Sequence, residues 1–252
     1  MSRLWGACKG SRHIQPLALS AIRVVESQGQ AATLTLVDSL EEQMVLESLL
    51  ENVKPPLPET PPGYHYLLTT PFRYPPLPYG SRFGSRLHNG IFYASLTEAT
   101  ALAETAYYRF VFWQGMATPP PRVRLTTELT TFSAKIKTNQ GVRLEAAPFE
   151  QYTASISHPS DYQTSQALGD AMRDARVEAF TYVSARDPEG GINCGCFTIA
   201  AIAAKKPSSL ASWTCVTNDT HVTFLKSHAL ETHLAFSIEG FLVDGQLASP
   251  AC

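Results

Sequence analysis

The chain has 252 residues, of which 44% are hydrophobic and 17% charged. That length is enough to bury a full core. A formal charge of −2 excludes a broad basic surface for nucleic acid or anionic membrane, leaving a small molecule or another protein as the partner class.

In chain order, the first apolar stretch, Leu17 to Ile22, is too short for a signal peptide and lacks a small-residue cleavage pattern after it. A helix is predicted from Asp38-Ser39, where Ser39-x-x-Glu42 reads as a capping box and Leu40, Met44, Leu46, Leu49 and Leu50 follow near helical spacing. The proline-rich residues 54–62 end it, because proline fixes φ and removes a donor. Residues 1–57 therefore read as an N-terminal helical subdomain and 58–252 as the main domain. Within the latter, Gly90 to Ala94 is β-prone and leads through Ser95 or Thr97 into a helix reaching Phe112. Thr118-Pro119-Pro120-Pro121 marks a turn before a strand from Arg122 to Phe132. A helix between Ser160 and Ala175 and a strand from Val177 to Ser184 come next. Strands are then expected at Cys194 to Ala204, Trp213 to Leu225 and Leu234 to Val243. This irregular alternation predicts an α+β architecture with mixed sheets rather than a doubly wound parallel one. Gly190 to Ala204, the best candidate for a membrane span, falls short of the ~20 residues required, so the expected location is the cytoplasm, with no membrane partner. Five cysteines, Cys8, Cys194, Cys196, Cys215 and Cys252, are too few and irregular for a disulfide framework. Cys194 and Cys196, read as facing opposite sides of a strand, lack the second half of a zinc site. No His-x-x-x-His or His-Glu-x-x-His occurs either, and no metal is expected.

Three segments carry residues able to do chemistry. Arg73, Arg82 and Arg86 fall in a loop-rich stretch with Gly80, Gly84 and Gly90. Guanidinium groups bind phosphates through paired, charge-assisted bonds, and glycines let a ligand approach the backbone closely. Composition alone reads the same arginines as a solvated loop. Glu104 is the one carboxylate between Thr100 and Tyr108, on a helix face shared with Ala101 and Tyr108. Burying it requires a partner, and either an arginine or a substrate cation would serve. Ser184 ends the β-prone Tyr182-Val183 before a turn, where serine commonly caps or forms the turn. No Gly-x-Ser-x-Gly surrounds it, so it does not read as a hydrolase nucleophile.

Together these segments resemble the RES domain, a family named for an arginine, a glutamate and a serine. The resemblance runs over residues 64–204, through Pro71-Phe72-Arg73-Tyr74, Gly80-Ser81-Arg82-Phe83, Gly90-Ile91-Phe92-Tyr93-Ala94-Ser95, Ala101-Leu102-Ala103-Glu104 and Tyr182-Val183-Ser184-Ala185-Arg186-Asp187-Pro188. It implies an ADP-ribosyltransferase-like fold, in which mixed β-sheets with flanking helices form a cleft for NAD. It further implies a toxin of a toxin–antitoxin pair, neutralised by an Xre-type antitoxin. The implied activity is that of an NAD phosphorylase or NAD glycohydrolase, with NAD as substrate and inorganic phosphate or water as the acceptor. No prosthetic group is implied. A protein ADP-ribosyltransferase using the same cleft, and a non-catalytic interaction module, are the competing readings. Carried over by position, Arg73, Glu104 and Ser184 are the implied catalytic residues, and Arg73, Tyr74, Arg82, Tyr93 and Ser184 the implied NAD-binding ones. Two positions depart from the family pattern. Gly80-Ser81-Arg82-Phe83 replaces Gly-Gly-Arg-Trp and leaves Arg86 as a rival to Arg82, and Val183 stands where relatives have proline.

Overall fold

The computed structural model describes residues 2–27, 37–55, 62–74, 78–118, 120, 123–227, 229 and 232–249. Its centre is an eight-stranded mixed sheet in the order β1-β2-β5-β4-β3-β6-β7-β8, with β1 also paired to β3. These strands are β1 (Gln15–Glu26), β2 (Phe92–Ser95), β3 (Leu125–Arg143), β4 (Ala179–Val183), β5 (Ile192–Cys196), β6 (Ser208–Thr217), β7 (His221–Lys226) and β8 (His233–Ser237). The extra pairing closes β1, β2, β5, β4 and β3 into a ring, in which β3–β4 is parallel and every other junction antiparallel. This is the expected α+β class with a mixed sheet.

The N-terminal expectation needs correction. Gln15 to Glu26 lies inside the proposed helical subdomain, yet it forms a strand running antiparallel to β3 from Leu17↔Thr138 to Glu26↔Leu129. The signal was present in the period of two: Leu17 and Ala21, both fully buried, share one face. Helix α1 (Arg3–Ala7) precedes this strand, and α2 (Leu40–Val53) follows it. The α2 start matches the capping prediction, since Ser39 Oγ accepts from the Glu42 amide at 3.1 Å while Glu42 Oε2 accepts from the Asp38 amide at 2.9 Å. Its apolar residues Leu40, Met44, Leu49 and Val53 are exposed. Most of the proline-rich segment, residues 56–61, lies outside the described residues, as do Pro119, Pro121 and Arg122 of the predicted turn.

Later elements keep their type and change their limits. Helix α3 (Tyr66–Arg73) places Arg73 at a helix end rather than in a loop. Helix α4 (Glu98–Gln114) starts with Thr97 as its cap. The strand expected to stop at Phe132 continues as β3 to Arg143. Helices α5 (Thr153–Ile156) and α6 (Gln163–Asp174) then lead to β4. The strand expected from Cys194 to Ala204 ends at Cys196, and a 3-10 turn occupies Ile199–Ala201. Trp213 to Leu225 is two strands, because Asn218 Oδ1 accepts from the amides of Thr220 and His221 and closes a turn. The predicted last strand splits likewise into β8, a 3-10 turn and the short β9 (Leu242–Val243), which pairs with β10 (Gln246–Leu247). Cys194 and Cys196 sit two apart on β5 and pack into one core cluster, so they share a face instead of opposing each other. Among the described residues, no helix is long and apolar enough to cross a membrane.

Three apolar clusters fix the helices on the sheet. One gathers Phe180, Tyr182 and Val142 of the ring with Trp5 of α1 and Leu168 and Met172 of α6. A second gathers Leu17, Phe92, Phe132 and Cys194 with Leu68 and Phe72 of α3. The third holds Leu102, Tyr107 and Phe110 of α4 against Trp213, Val222 and Phe224 of the outer strands. Helix α4 is thus clamped along its length with Glu104 midway, still partly accessible.

Candidate active site

Glu104 faces a cavity of about 300 Å³. Ala101, Glu104, Thr105 and Tyr108 line it from α4, Arg23 from β1, Arg82 from the turn before β2, and Tyr93 and Ser95 from β2. Tyr162, Tyr182, Arg186 and Asn193 complete the wall. The predicted helical face, Ala101 with Glu104 and Tyr108, is the face presented.

The Glu104 carboxylate is fixed through one oxygen. Its Oε1 accepts from Ser184 Oγ at 2.6 Å and from Asn193 Nδ2 at 2.6 Å. Asn193 is itself oriented by Ser95 Oγ, which donates to its Oδ1 at 2.6 Å. Ser184 Oγ also accepts from the backbone amides of Arg186 at 3.1 Å and Asp187 at 3.0 Å. Ser184 is buried behind the carboxylate and does not line the cavity. With every bond of that hydroxyl in use, its visible work is to hold Glu104. Oε2 has no protein hydrogen-bond partner among the described residues.

The serine turn is tied back to α4. Thr100 Oγ1 donates to Asp187 Oδ2 at 2.8 Å, and a Cβ at Gly191 would lie 2.1 Å from Thr100 Oγ1, so this contact requires glycine. The turn carrying Arg82 is held from the other side. Gly80 adopts φ +78°, and the Ser81 amide donates to the Gly84 carbonyl at 2.7 Å. Gln166 Nε2 of α6 donates to the carbonyls of Tyr79 at 2.8 Å and Ser81 at 3.1 Å. A Cβ on Gly169 would meet the Phe83 carbonyl oxygen at 2.0 Å, so α6 touches this turn backbone to backbone.

The cavity's charges are unbalanced. Three arginines, Arg23, Arg82 and Arg186, line it against one carboxylate, Glu104. None of the three forms an ion pair among the described residues. Arg82 donates to the His158 carbonyl at 2.7 Å and lies 4.6 Å from the Tyr162 ring centroid. Arg186 donates to the Pro159 carbonyl and stacks 3.4 Å from the Tyr107 centroid. Carbonyls and rings hold a guanidinium in place without cancelling its charge. Arg86 is exposed and lines neither this cavity nor its neighbour, so the turn presents Arg82.

The remaining predicted residues lie next door. A second cavity of about 960 Å³ shares Arg23, Ser81, Tyr93, Tyr108 and Tyr162 with the first, and Arg73 and Tyr74 line it. Here Arg73 is already engaged. Its Nη1 pairs with Glu51 Oε1 at 2.8 Å, and its Nε donates to the Pro55 carbonyl at 2.5 Å. Tyr93 borders both cavities, but its hydroxyl accepts from the Phe83 amide at 3.0 Å and shares a bond with Ser81 Oγ at 3.0 Å. Burial pushes this phenol up to about 12, so it stays protonated and supports the arginine turn.

The structure therefore brings Glu104, Arg82 and Tyr93 together with Ser184 immediately behind, and sets Arg73 and Tyr74 in the adjoining space. Sequence reasoning missed Arg23, Ser95, Asn193 and Arg186 as members. Arg186 stood inside the serine motif, whereas Asn193 had only its place after Gly190-Gly191 as a signal.

An α+β protein with a fixed carboxylate among unpaired arginines is the class that fold and site define. The model of the RES domain matches residues 57–218, and the chain belongs to that family. A search of the curated proteins finds no match. Among solved structures, similarity is found to one described as the crystal structure of the M. tuberculosis MbcT-MbcA toxin-antitoxin complex. It has a TM-score of 0.49 and 8% identity, and covers 84% of this chain and 92% of that one.

Proposed function

We propose that this protein is a toxin that cleaves NAD at the nicotinamide–ribose bond, held in check by an Xre-type antitoxin. The observation that carries the reading is Glu104, clamped on Oε1 by Ser184 and Asn193, with Oε2 free of hydrogen bonds among the described residues, in a cavity otherwise charged by three arginines. Membership of the RES-domain family supports NAD as the substrate.

The nicotinamide of NAD is cationic and leaves as a neutral base, so its departure needs no strong acid. Positive charge grows instead on the ribose, as in glycoside cleavage. A carboxylate fixed beside that charge in a partly enclosed site stabilises it far more than water does, because the carboxylate has no reorganisation left to make. Glu104 Oε2 supplies it, and Ser184 and Asn193 act as positioning residues. Arg82 and Arg186 make the smaller cavity attractive to an anionic substrate, while Arg73 and Tyr74 bind the portion that extends into the larger cavity. Typical ligand pockets measure ~300–1,000 Å³, and two adjoining ones suit a two-part ligand.

The test is pure protein incubated with NAD, with and without inorganic phosphate. Phosphate-dependent loss of NAD identifies phosphorolysis, and phosphate-independent loss identifies hydrolysis. Consumption that waits for an added acceptor protein moves the activity to protein ADP-ribosylation. NAD left intact under all three conditions refutes the reading.

A further inference from the structure

Arg23 lies on β1, outside the segment matched by the family model. It shares a strand face with Leu17 and Ala21, both fully buried, so an arginine continues a face that otherwise packs in the core. Its Nη1 donates to the Tyr93 carbonyl at 2.5 Å, and its guanidinium carbon lies 5.3 Å from the Phe92 ring centroid. Its Nε is buried and has no hydrogen-bond partner among the described residues. No carboxylate lies within 4.0 Å of it among the described residues. Burial lowers its pKa to about 10, which leaves it charged at neutral pH. A cation held this way is costly to the folded state unless something answers it.

Position says what would answer it. Of the five residues common to both cavities, Arg23 is the only cation; the others are Ser81, Tyr93, Tyr108 and Tyr162. Arg73, the other arginine of the larger cavity, already faces Glu51. A dinucleotide with its reactive ribose at Glu104 and its other half in the larger cavity passes its diphosphate through the shared boundary.

We propose that Arg23 is an oxyanion-binding residue that holds the diphosphate of a dinucleotide where the two cavities meet. For the identity of the dinucleotide this rests on the NAD reading above; for the oxyanion it rests on the geometry of Arg23 alone. Nη1 is taken by the Tyr93 carbonyl and Nε is buried, so Nη2 is the donor left to meet a phosphate oxygen.

The experiment measures inorganic pyrophosphate binding by calorimetry, and KM and kcat for NAD, in the wild type, Arg23→Met and Arg23→Lys. Melting curves verify that each variant folds, and Arg23→Met is expected to melt at or above the wild type because it removes an unanswered buried charge. The expected result is pyrophosphate affinity at least about tenfold weaker in Arg23→Met, with Arg23→Lys between, and a rise in KM for NAD that exceeds any fall in kcat. Equal pyrophosphate affinity in the wild type and Arg23→Met, or no binding to the wild type, overturns the assignment. Pyrophosphate binding that depends on Arg23 without any loss of NAD sinks the proposed reaction and leaves the oxyanion site standing. NAD cleavage with an unchanged KM in Arg23→Met does the reverse.

Discussion

The two adjoining cavities manage charge in opposite ways. In the smaller one, Arg82 and Arg186 are held by carbonyls and aromatic faces, and Glu104 by a hydroxyl and an amide. Every charged group is fixed and none is neutralised. In the larger one, Glu51 of α2 takes both Arg73 and Lys54, at 2.8 and 2.6 Å. The Glu51 side chain is 56% exposed against 14% for Arg73, so solvent and salt reach this pair from the carboxylate side and weaken it. The smaller cavity holds its charges fixed without a ligand, whereas in the larger one Arg73 must part from Glu51 before it can meet anything else. On the proposed function, chemistry belongs with the first arrangement and adjustable affinity with the second.

The largest effect that would break this contrast is expected at Glu104. Glu104→Ala should lower kcat for NAD cleavage by ~10²–10³, the usual cost of losing a preorganised electrostatic contact, with little change in melting temperature. Wild-type turnover in the folded variant would remove Glu104 from the chemistry. Next comes Gly169→Ala, which drives a methyl into the Phe83 carbonyl where no rotamer can yield. A loss of about 1–3 kcal/mol is expected, seen as a lower melting temperature, together with weaker NAD binding as the Arg82 turn is displaced. Unchanged melting and KM would show that the turn is not set by α6. The smallest effect is expected from Glu51→Gln, which releases Arg73. KM for NAD should fall by roughly two- to fivefold at low salt, and the gain should fade as ionic strength rises. A higher KM would mean that Glu51 itself serves the ligand.

What could be read in advance followed the grammar of local sequence. Glu104 was visible because one carboxylate interrupted a helix of small and apolar residues, and Thr97 because a threonine preceded it at the cap. Arg82 and Arg86 stayed rivals in the sequence, and the turn's geometry separates them by presenting Arg82 to the cavity. Arg23 was missed because residues 15–26 were read as part of a helical subdomain, so the alternation that puts Arg23 on the face of Leu17 and Ala21 went unused. Asn193 was hidden for another reason: an amide on a short strand carries no motif, and its role depends on Glu104 standing 89 residues away in sequence. Arg73 was assigned to the site by resemblance, and its neighbour Glu51, from the far side of the proline segment, was not foreseeable from either motif. The helical reading of the N-terminus failed because the capping box of α2 was extended backwards over a stretch whose own period was two.

The closure of the strand ring has a consequence for how the chain is made. β5 joins β2 to β4 and is the last of the five ring strands to leave the ribosome. At ~5–20 residues per second, Arg23 emerges many seconds before Asn193 does. Until then Glu104 lacks the amide that fixes it, and the sheet beneath the site has a gap. For a chain with the proposed activity, translation itself is a safety catch: a copy cut before β5 has the charged residues and Ser184, but lacks Asn193 and the strand that closes the ring.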